Sequence, residues 1–255
     1  MDLLNIKPVR LDDEFSDPAY WEEGRLLLID KPLTWTSFDL VNKCKLALRS
    51  GLNIRKIKIG HAGTLDPLAT GLMLILTGKF TRLTPMIHEM DKTYEATLFL
   101  GATTPCYDAE RPVDALYPTG HITPELIRET ANRFTGRLVQ HPPVFSAVKI
   151  NGKKAYKSAH RGREVKTRPR FIDVHRLDLE HIDLPYVSFE VTCSAGTYIR
   201  SLAHDMGKAM DSGAYLFSLK RTRIGPWSLD EAMDIRAFSE KLNSAPASQP
   251  LCPNP

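Results

Sequence analysis

The chain has 255 residues, 42% of them hydrophobic and 25% charged, and a formal net charge of +4. Those proportions belong to a globular chain of one large or two small domains, and they exclude a disordered, collagen-like or membrane-spanning one. The longest clean apolar runs, 26–29 and 72–76, fall far short of the roughly 20 residues that cross a bilayer.

Residues 1–24 carry Asp12, Asp13, Glu14 and Asp17 and read as an acidic lead-in. They lack the basic-then-apolar order of a secretory signal. Residues 26–30 read as a short buried strand that ends at Lys31-Pro32. Thr36 can cap the helix that follows, with Asp39 three residues on completing a capping box. Phe38, Val41, Cys44 and Leu48 recur at helical spacing, and Gly51 stops the helix. Residues 55–59 alternate polar and apolar, as a strand does, and the Gly60–Gly71 stretch that follows fits neither period and reads as a loop. A strand is expected over 94–100. Thr123-Pro124-Glu125 opens a helix that runs to about Phe134, with proline in its first turn. His141-Pro142-Pro143 then breaks the chain. Strands are expected over 171–179 and 187–193, a helix over 199–210, a strand over 215–224 and a short helix over 229–242. The tail over 243–255 is proline-rich and is expected to be disordered. Strands and helices alternate without the strict order of a doubly wound sheet. The expected class is α+β, with one mixed sheet flanked by helices, folded as one domain over 25–242.

The net charge conceals an asymmetry. Between Lys149 and Arg170 stand five lysines and four arginines against one acid, Glu164; between Lys43 and Lys58 stand six bases and no acid. A mildly acidic body with two dense basic segments is the footprint of a polyanion binder, although a solvated basic surface fits the same charges. Tyr156, Gly152 and Gly162 in the second segment suit a mobile arm lying along phosphates. Charge alone does not separate RNA from DNA.

Several catalytic signatures are absent. Gly78-Lys79 resembles the end of a phosphate-binding loop, but Met73 and Phe80 stand where that loop needs glycine and Ser/Thr. No dinucleotide fingerprint and no nucleophile elbow occur. His88-Glu89 lacks the second histidine of a metalloprotease helix. Cys44, Cys106, Cys193 and Cys252 form no C-x-x-C pair, so a thiolate metal site is not expected. With no secretory signal, four lone cysteines read as reduced thiols in a cytoplasm.

The stretch GHAGTLDPLATG, Gly60 to Gly71, holds three glycines, which allow tight backbone turns. Pro67 keeps Asp66 out of the helical region, so its carboxylate is presented from a stiff turn. On physics alone that carboxylate either does chemistry or caps a following helix. The stretch also resembles the signature of the TruB family of tRNA pseudouridine synthases, in which the aspartate of G-H-x-G-x-L-D-P is catalytic. Asp30-Lys31-Pro32 with Thr36-Ser37-Phe38 is similar to the family's D-K-P…S-S segment, and Lys92-Thr93-Tyr94 to its K-x-Y strand. The segment from Gln140 to Lys149 resembles Q-x-P-P-x-x-S-A-x-K. Cys193 to Arg200 resembles C-x-x-G-T-Y-I-R, and Leu219-Lys220-Arg221 resembles L-R-R. The motifs keep the family's order from about residue 25 to 225, and Pro67 to Gly71 looks like the bacterial branch.

The resemblance implies a pseudouridine synthase-like core that isomerises a T-loop uridine of tRNA (position 55 of tRNA) with no cofactor and no metal. Asp66 would be the nucleophile. Tyr94 would stack on the flipped base, and its hydroxyl is a candidate for removing the C5 proton. His61 would fill the space that the base leaves. Tyr198 would hydrogen-bond base or sugar, Leu219 would pack on the base, and Arg200 would be the cation that keeps Asp66 ionised. Tyr198 and Arg200, two apart, would share a face of an extended segment; the plain alternative is that Arg200 opens a helix and points to solvent. The basic segment, about 141–170, corresponds to the family's inserted thumb, with Lys149, Lys153, Lys154, Arg161 and Arg163 on the RNA backbone; Lys31 is expected to be structural or to face a phosphate. The chain is expected to act on tRNA as a monomer, without a membrane, in the cytoplasm, and to lack the family's C-terminal PUA domain. The alternative is an RNA-binding or tRNA-folding protein without essential catalysis.

Overall fold

In a computed structural model, residues 3, 6–14, 16–143, 149–150, 153–154 and 168–244 are described. The chain forms two compact units, Met1–Met90 with Arg221–Pro255, and Asp91–Lys220.

The first unit opens with α1 (Pro18–Glu23), capped by Asp17, whose Oδ1 accepts from Ala19 N at 2.9 Å. The stretch expected as a lead-in is part of the core. Trp21 is fully buried and meets Phe238 edge-on with ring centroids 6.0 Å apart. Strand β1 (Leu26–Lys31) and helix α2 (Ser37–Leu52) form where expected, except that α2 runs through Gly51, its expected stop, to Leu52. The capping box forms: Thr36 Oγ1 accepts from Asp39 N at 3.0 Å, and Thr36 N donates to Asp39 Oδ2 at 2.9 Å. Asn53, in the left-handed conformation, ends the helix.

Strand β2 (Ile59–Ala62) begins four residues later than the alternation of 55–59 predicted. Its partner β3 (Ala69–Thr77) pairs Ile59 with Thr77, the last residue of β3, so residues before Ile59 have no ladder to join. The expected loop thereby shrinks to the bend between Gly63 and Leu68. Leu72, Met73, Leu74, Ile75 and Leu76 are all fully buried, because β3 is flanked by β1 on one side and covered on both faces. A 3₁₀ turn (Gly78–Leu83) and α3 (Thr84–His88) follow.

The second unit holds β4 (Lys92–Leu100), β5 (Ala102–Thr103), β6 (Ala115–Leu116), α4 (Pro124–Arg133), β7 (Gly136–Gln140), β8 (Lys149–Ile150), β9 (Lys153–Lys154), β10 (Arg170–Asp183), β11 (Tyr186–Cys193) and α5 (Ile199–Ala209). Strand β12 (Ala214–Ile224) closes it and runs on into the first unit from Arg221. Within the second unit the sheet order is β12-β4-β11-β10-β7. On β11, buried residues alternate with more open ones, as a sheet with one covered face requires. Helix α5 buries Ile199, Leu202, Ala203 and Met206, one stripe at helical spacing.

Back in the first unit, the helix expected over 229–242 is three elements. They are a 3₁₀ turn (Leu229–Glu231), β14 (Met233–Asp234) and α6 (Ile235–Ser244), after the short strand β13 (Trp227–Ser228). Strand β14 takes the free edge of β1 in parallel, Ile29 opposite Met233, and Asp234 Oδ1 then accepts from Arg236 N and Ala237 N to start α6. The first unit's order is β14-β1-β3-β12, with β2 on β3. The parallel pairing of β1 with β14 beside antiparallel ones such as β1 with β3 makes the sheet mixed, and helices flank it, as the α+β expectation required. The tail beyond Ser244 lies outside the described residues.

Candidate active site

The Gly63–Leu68 bend is fastened at three points within the first unit. Ser37, the first residue of α2, donates its hydroxyl to Leu65 O and accepts from Leu65 N, both at 2.9 Å. Thr34 N donates to Pro67 O at 2.9 Å. Arg221, 1% exposed, donates Nη2 to Gly63 O at 3.0 Å and Nε to Leu72 O at 2.8 Å. Gly71, at φ +99°, lets the backbone of Arg221 come this close; a Cβ there would run into Arg221 O. Asp66 stands in the middle of this clamp, half-buried. It caps no helix, because β3 follows it at Ala69, so the capping reading of this carboxylate falls away.

Lys31 lies next to this bend. Its side chain is fully buried, with Nζ donating to Trp35 O at 2.6 Å, Pro32 O at 3.0 Å and Pro67 O at 3.5 Å. No phosphate can reach an ammonium with no accessible surface, so of the two readings of Lys31 the phosphate-facing one does not fit and the structural one, beside the Asp66 bend, does. Burial lowers its pKa from 10.5 to about 8, with the Asp66 carboxylate pulling the other way. His61, on β2, is half-buried with Nδ1 unpartnered among the described residues. Burial, then His88 and Arg221, hold its pKa below the usual imidazole value, so it is neutral in neutral solution.

The second unit holds the other predicted residues. Tyr94, 9% exposed, sits on β4 opposite Val191. Tyr198 caps α5 and is gripped by the buried amide of Gln140, which donates Nε2 to Tyr198 O at 3.0 Å and accepts from Tyr198 N at 2.8 Å. The Arg170 guanidinium lies 5.2 Å from the Tyr198 ring centroid. Arg200 does begin a helix, but it does not point to solvent. It is 6% exposed, donates Nη1 to Cys106 O at 3.1 Å and ion-pairs with Asp108 Oδ2 at 3.5 Å. The shared extended face expected for Tyr198 and Arg200 is replaced by a helix start. Leu219 is half-buried on β12. Lys149, Lys153 and Lys154 stand on the hairpin of β8 and β9, whereas Arg161 and Arg163 lie outside the described residues.

A second feature of the first unit was visible only as charge. A cleft of about 770 Å³ is lined by Lys45, Arg49, Arg55, Lys56, Lys58, Lys79 and Arg82, against a single acid, Glu22. The 43–58 segment supplies five of those bases and the turn after β3 the other two. Sequence reasoning also missed Ser37 as the holder of Leu65, Asp108 as that of Arg200 and Gln140 as that of Tyr198. Gln140 and Ser37 were inside quoted motifs, while Asp108 had no signal around it. Among the described residues no group of three or more His, Cys, Asp or Glu could hold a metal ion, and no helix is long and apolar enough to cross a membrane.

Residues 49–199 match the family model described as TruB family pseudouridylate synthase (N terminal domain). A tRNA pseudouridine synthase B of Parabacteroides distasonis is 52% identical over 219 residues, 86% of this chain and 93% of the relative. That of Flavobacterium johnsoniae is 49% identical over 226 residues, 88% of this chain and 99% of the relative. Among solved structures, one from a Cbf5-Nop10-Gar1 complex superposes with a TM-score of 0.67 at 27% identity over 92% of this chain, which spans 60% of that protein's length. A second, from an H/ACA RNP bound to a substrate RNA containing 2'-deoxyuridine, gives 0.64 at 26% identity over 87% of this chain and 54% of that one.

Proposed function

The chain belongs to the TruB family of pseudouridylate synthases, and from that premise we propose that it is a tRNA pseudouridine synthase acting on the T-loop uridine, with Asp66 as nucleophile. The reaction exchanges one bond for another. The bond from uracil N1 to ribose C1′ breaks, the base turns, C5 bonds to C1′, the C5 proton leaves and N1 takes up a proton. Nothing is added or lost, so the chain's own side chains suffice as reagents.

The observation that carries the reading is the mounting of Asp66. A nucleophilic carboxylate must be ionised and held still. Clamps at Gly63, Leu65 and Pro67 hold the backbone on both sides of it while Asp66 itself is only half-buried. A binding protein without chemistry has no use for such a mounted carboxylate. The target base must leave its stack, which costs a few kcal/mol, and stacking on an aromatic ring returns about 1–3 kcal/mol; Tyr94 is assigned that ring and is the candidate for taking the C5 proton. Tyr198 and Leu219 are assigned to hold the base, His61 to occupy its vacated space, and Arg200 to supply positive charge to the reacting groups. The basic cleft along 43–58 and the thumb lysines are assigned to RNA phosphates. On this reading the enzyme works as a single chain in the cytoplasm, where its tRNA substrate is.

The test is tritium release from a T-stem-loop RNA labelled at uridine C5. Asp66→Asn is expected to bind the RNA within about threefold of the unchanged chain and to release no tritium. Normal turnover in that variant refutes the assignment, and binding without turnover in the unchanged chain favours the alternative of an RNA-folding protein.

A further inference from the structure

Arg200 is held by the two residues on either side of Tyr107: its Nη1 donates to Cys106 O at 3.1 Å and pairs with Asp108 Oδ2 at 3.5 Å. Tyr107 itself has φ +64°, in the left-handed region that bulky side chains avoid. Glycine would make this bend without strain, so the aromatic residue is kept there by what its ring touches. The ring lies flat on the imidazole of His204, with centroids 3.9 Å apart and an interplanar angle of 13°. His204 is four residues beyond Arg200 on α5, one turn along the same face. The stack and the Arg200–Asp108 pair are therefore neighbouring fastenings between one bend and one helix. The backbone ties the bend further, Tyr107 N to Thr104 O at 3.2 Å and Leu216 N to Tyr107 O at 2.9 Å.

We propose that the Tyr107–His204 stack is a positioning device: it locks the bend that carries Cys106 O and Asp108, and so aims the Arg200 guanidinium for the isomerisation. This rests on the pseudouridine synthase reading above. Neither ring is a catalytic residue, since each acts through Arg200. The chemistry of the pair suits a permanent fastening. Burial lowers the His204 pKa and raises that of Tyr107, so both rings are uncharged in neutral solution. His204 Nδ1 has no hydrogen-bond partner among the described residues, so the stack does not depend on that nitrogen, and the aromatic ring of phenylalanine can take its place. A guanidinium displaced by about 1 Å can cost roughly a hundredfold in rate while leaving substrate binding intact.

The experiment compares single-turnover pseudouridine formation, T-stem-loop affinity and melting temperature for Tyr107→Gly, Tyr107→Phe, His204→Ala and His204→Phe. Tyr107→Gly and His204→Ala are expected to lose at least about tenfold in rate with affinity changed less than about threefold. Tyr107→Phe and His204→Phe, which keep two stacked rings, are expected to stay within about threefold of the unchanged rate. Glycine relieves the strain at φ +64° but gives up the packed ring, so the Tyr107→Gly rate is read beside its melting temperature; should that variant melt early, the His204→Ala and His204→Phe pair decides the matter. Unchanged rates in Tyr107→Gly and His204→Ala, or losses that the phenylalanine variants do not rescue, overturn the proposal while the isomerase reading stands. An unchanged chain that forms no pseudouridine overturns both.

Discussion

A fully buried ammonium is costly, and Lys31 shows how the cost is offset. Three carbonyls take its protons, and the Asp66 carboxylate supplies opposite charge. The offset is partial, since burial still lowers the pKa to about 8 from 10.5. Below pH 8 both folded and unfolded chains carry the proton, and the folded state bears the full penalty. Between pH 8 and 10.5 the folded chain sheds the proton while the unfolded chain keeps it, so this group's contribution to stability grows as pH rises. Urea unfolding from pH 7 to pH 10.5 is expected to show the unchanged chain gaining on Lys31→Met across that window. A constant difference between the two would mean that Lys31 titrates normally. Arg221 illustrates the same economy with a different group. Its guanidinium cannot lose its proton, so it is satisfied instead by carbonyls of the Asp66 bend and of the strand that follows it, Gly63 O and Leu72 O.

At the scale of elements, α2 is more than a core helix. Its first residue, Ser37, makes both backbone bonds of Leu65, so the helix start fixes the residue next to Asp66. That start depends on the Thr36–Asp39 capping box. Losing a cap typically costs about 1 kcal/mol. Thr36→Ala is expected to lower the unfolding free energy by about that amount, and to slow isomerisation more than an equally destabilising change at the far end of α2. Equal slowing by both would show that the cap acts on stability alone. Strand β12 is used twice in a comparable way: Leu219 is assigned to the base, and two residues on Arg221 closes the clamp. Successive strand residues alternate faces, so residues 219 and 221 lie on one side of the strand.

At the scale of the whole molecule, charge is the organising quantity. The formal excess is +4, yet seven bases gather around one cleft of the first unit with a single acid among them. Such a surface binds phosphates by releasing counterions, which makes affinity fall steeply with salt. Replacing Arg49 and Lys79 together by alanine is expected to weaken T-arm RNA binding and to flatten the slope of log affinity against log salt. The slope should change by about 0.7–0.9 for each phosphate that the variant no longer neutralises. The single-turnover rate at saturating RNA should stay within about twofold, since neither residue belongs to the reacting set. An unchanged slope would remove the cleft from the RNA-binding surface.

The local elements and the identity of the family were legible in the residues themselves. The capping box at Thr36, the alternation of 187–193 and the Thr123-Pro124 helix start are short-range patterns, and short-range patterns survive being read one residue at a time. The motifs around Asp66, Tyr94, Tyr198 and Arg200 likewise declared themselves by order and spacing. What was misread depended on partners distant in the chain. Residues 55–58 alternate like a strand but have no strand to pair with, and Met233–Asp234 look helical but fill the edge of β1. Arg200 carries the charge of a surface residue and is enclosed, because Cys106 O and the Asp108 carboxylate come from far along the chain to meet it; Lys31 is held by the nearby Pro32 and Trp35 carbonyls and by the distant Pro67 O. Asp66 fitted a helix cap equally well until β3 followed it. Sequence thus determined which groups this protein possesses and in what local geometry; the tertiary structure decided which of them are shut away from water, because burial is set by neighbours that the chain brings back from far along its length.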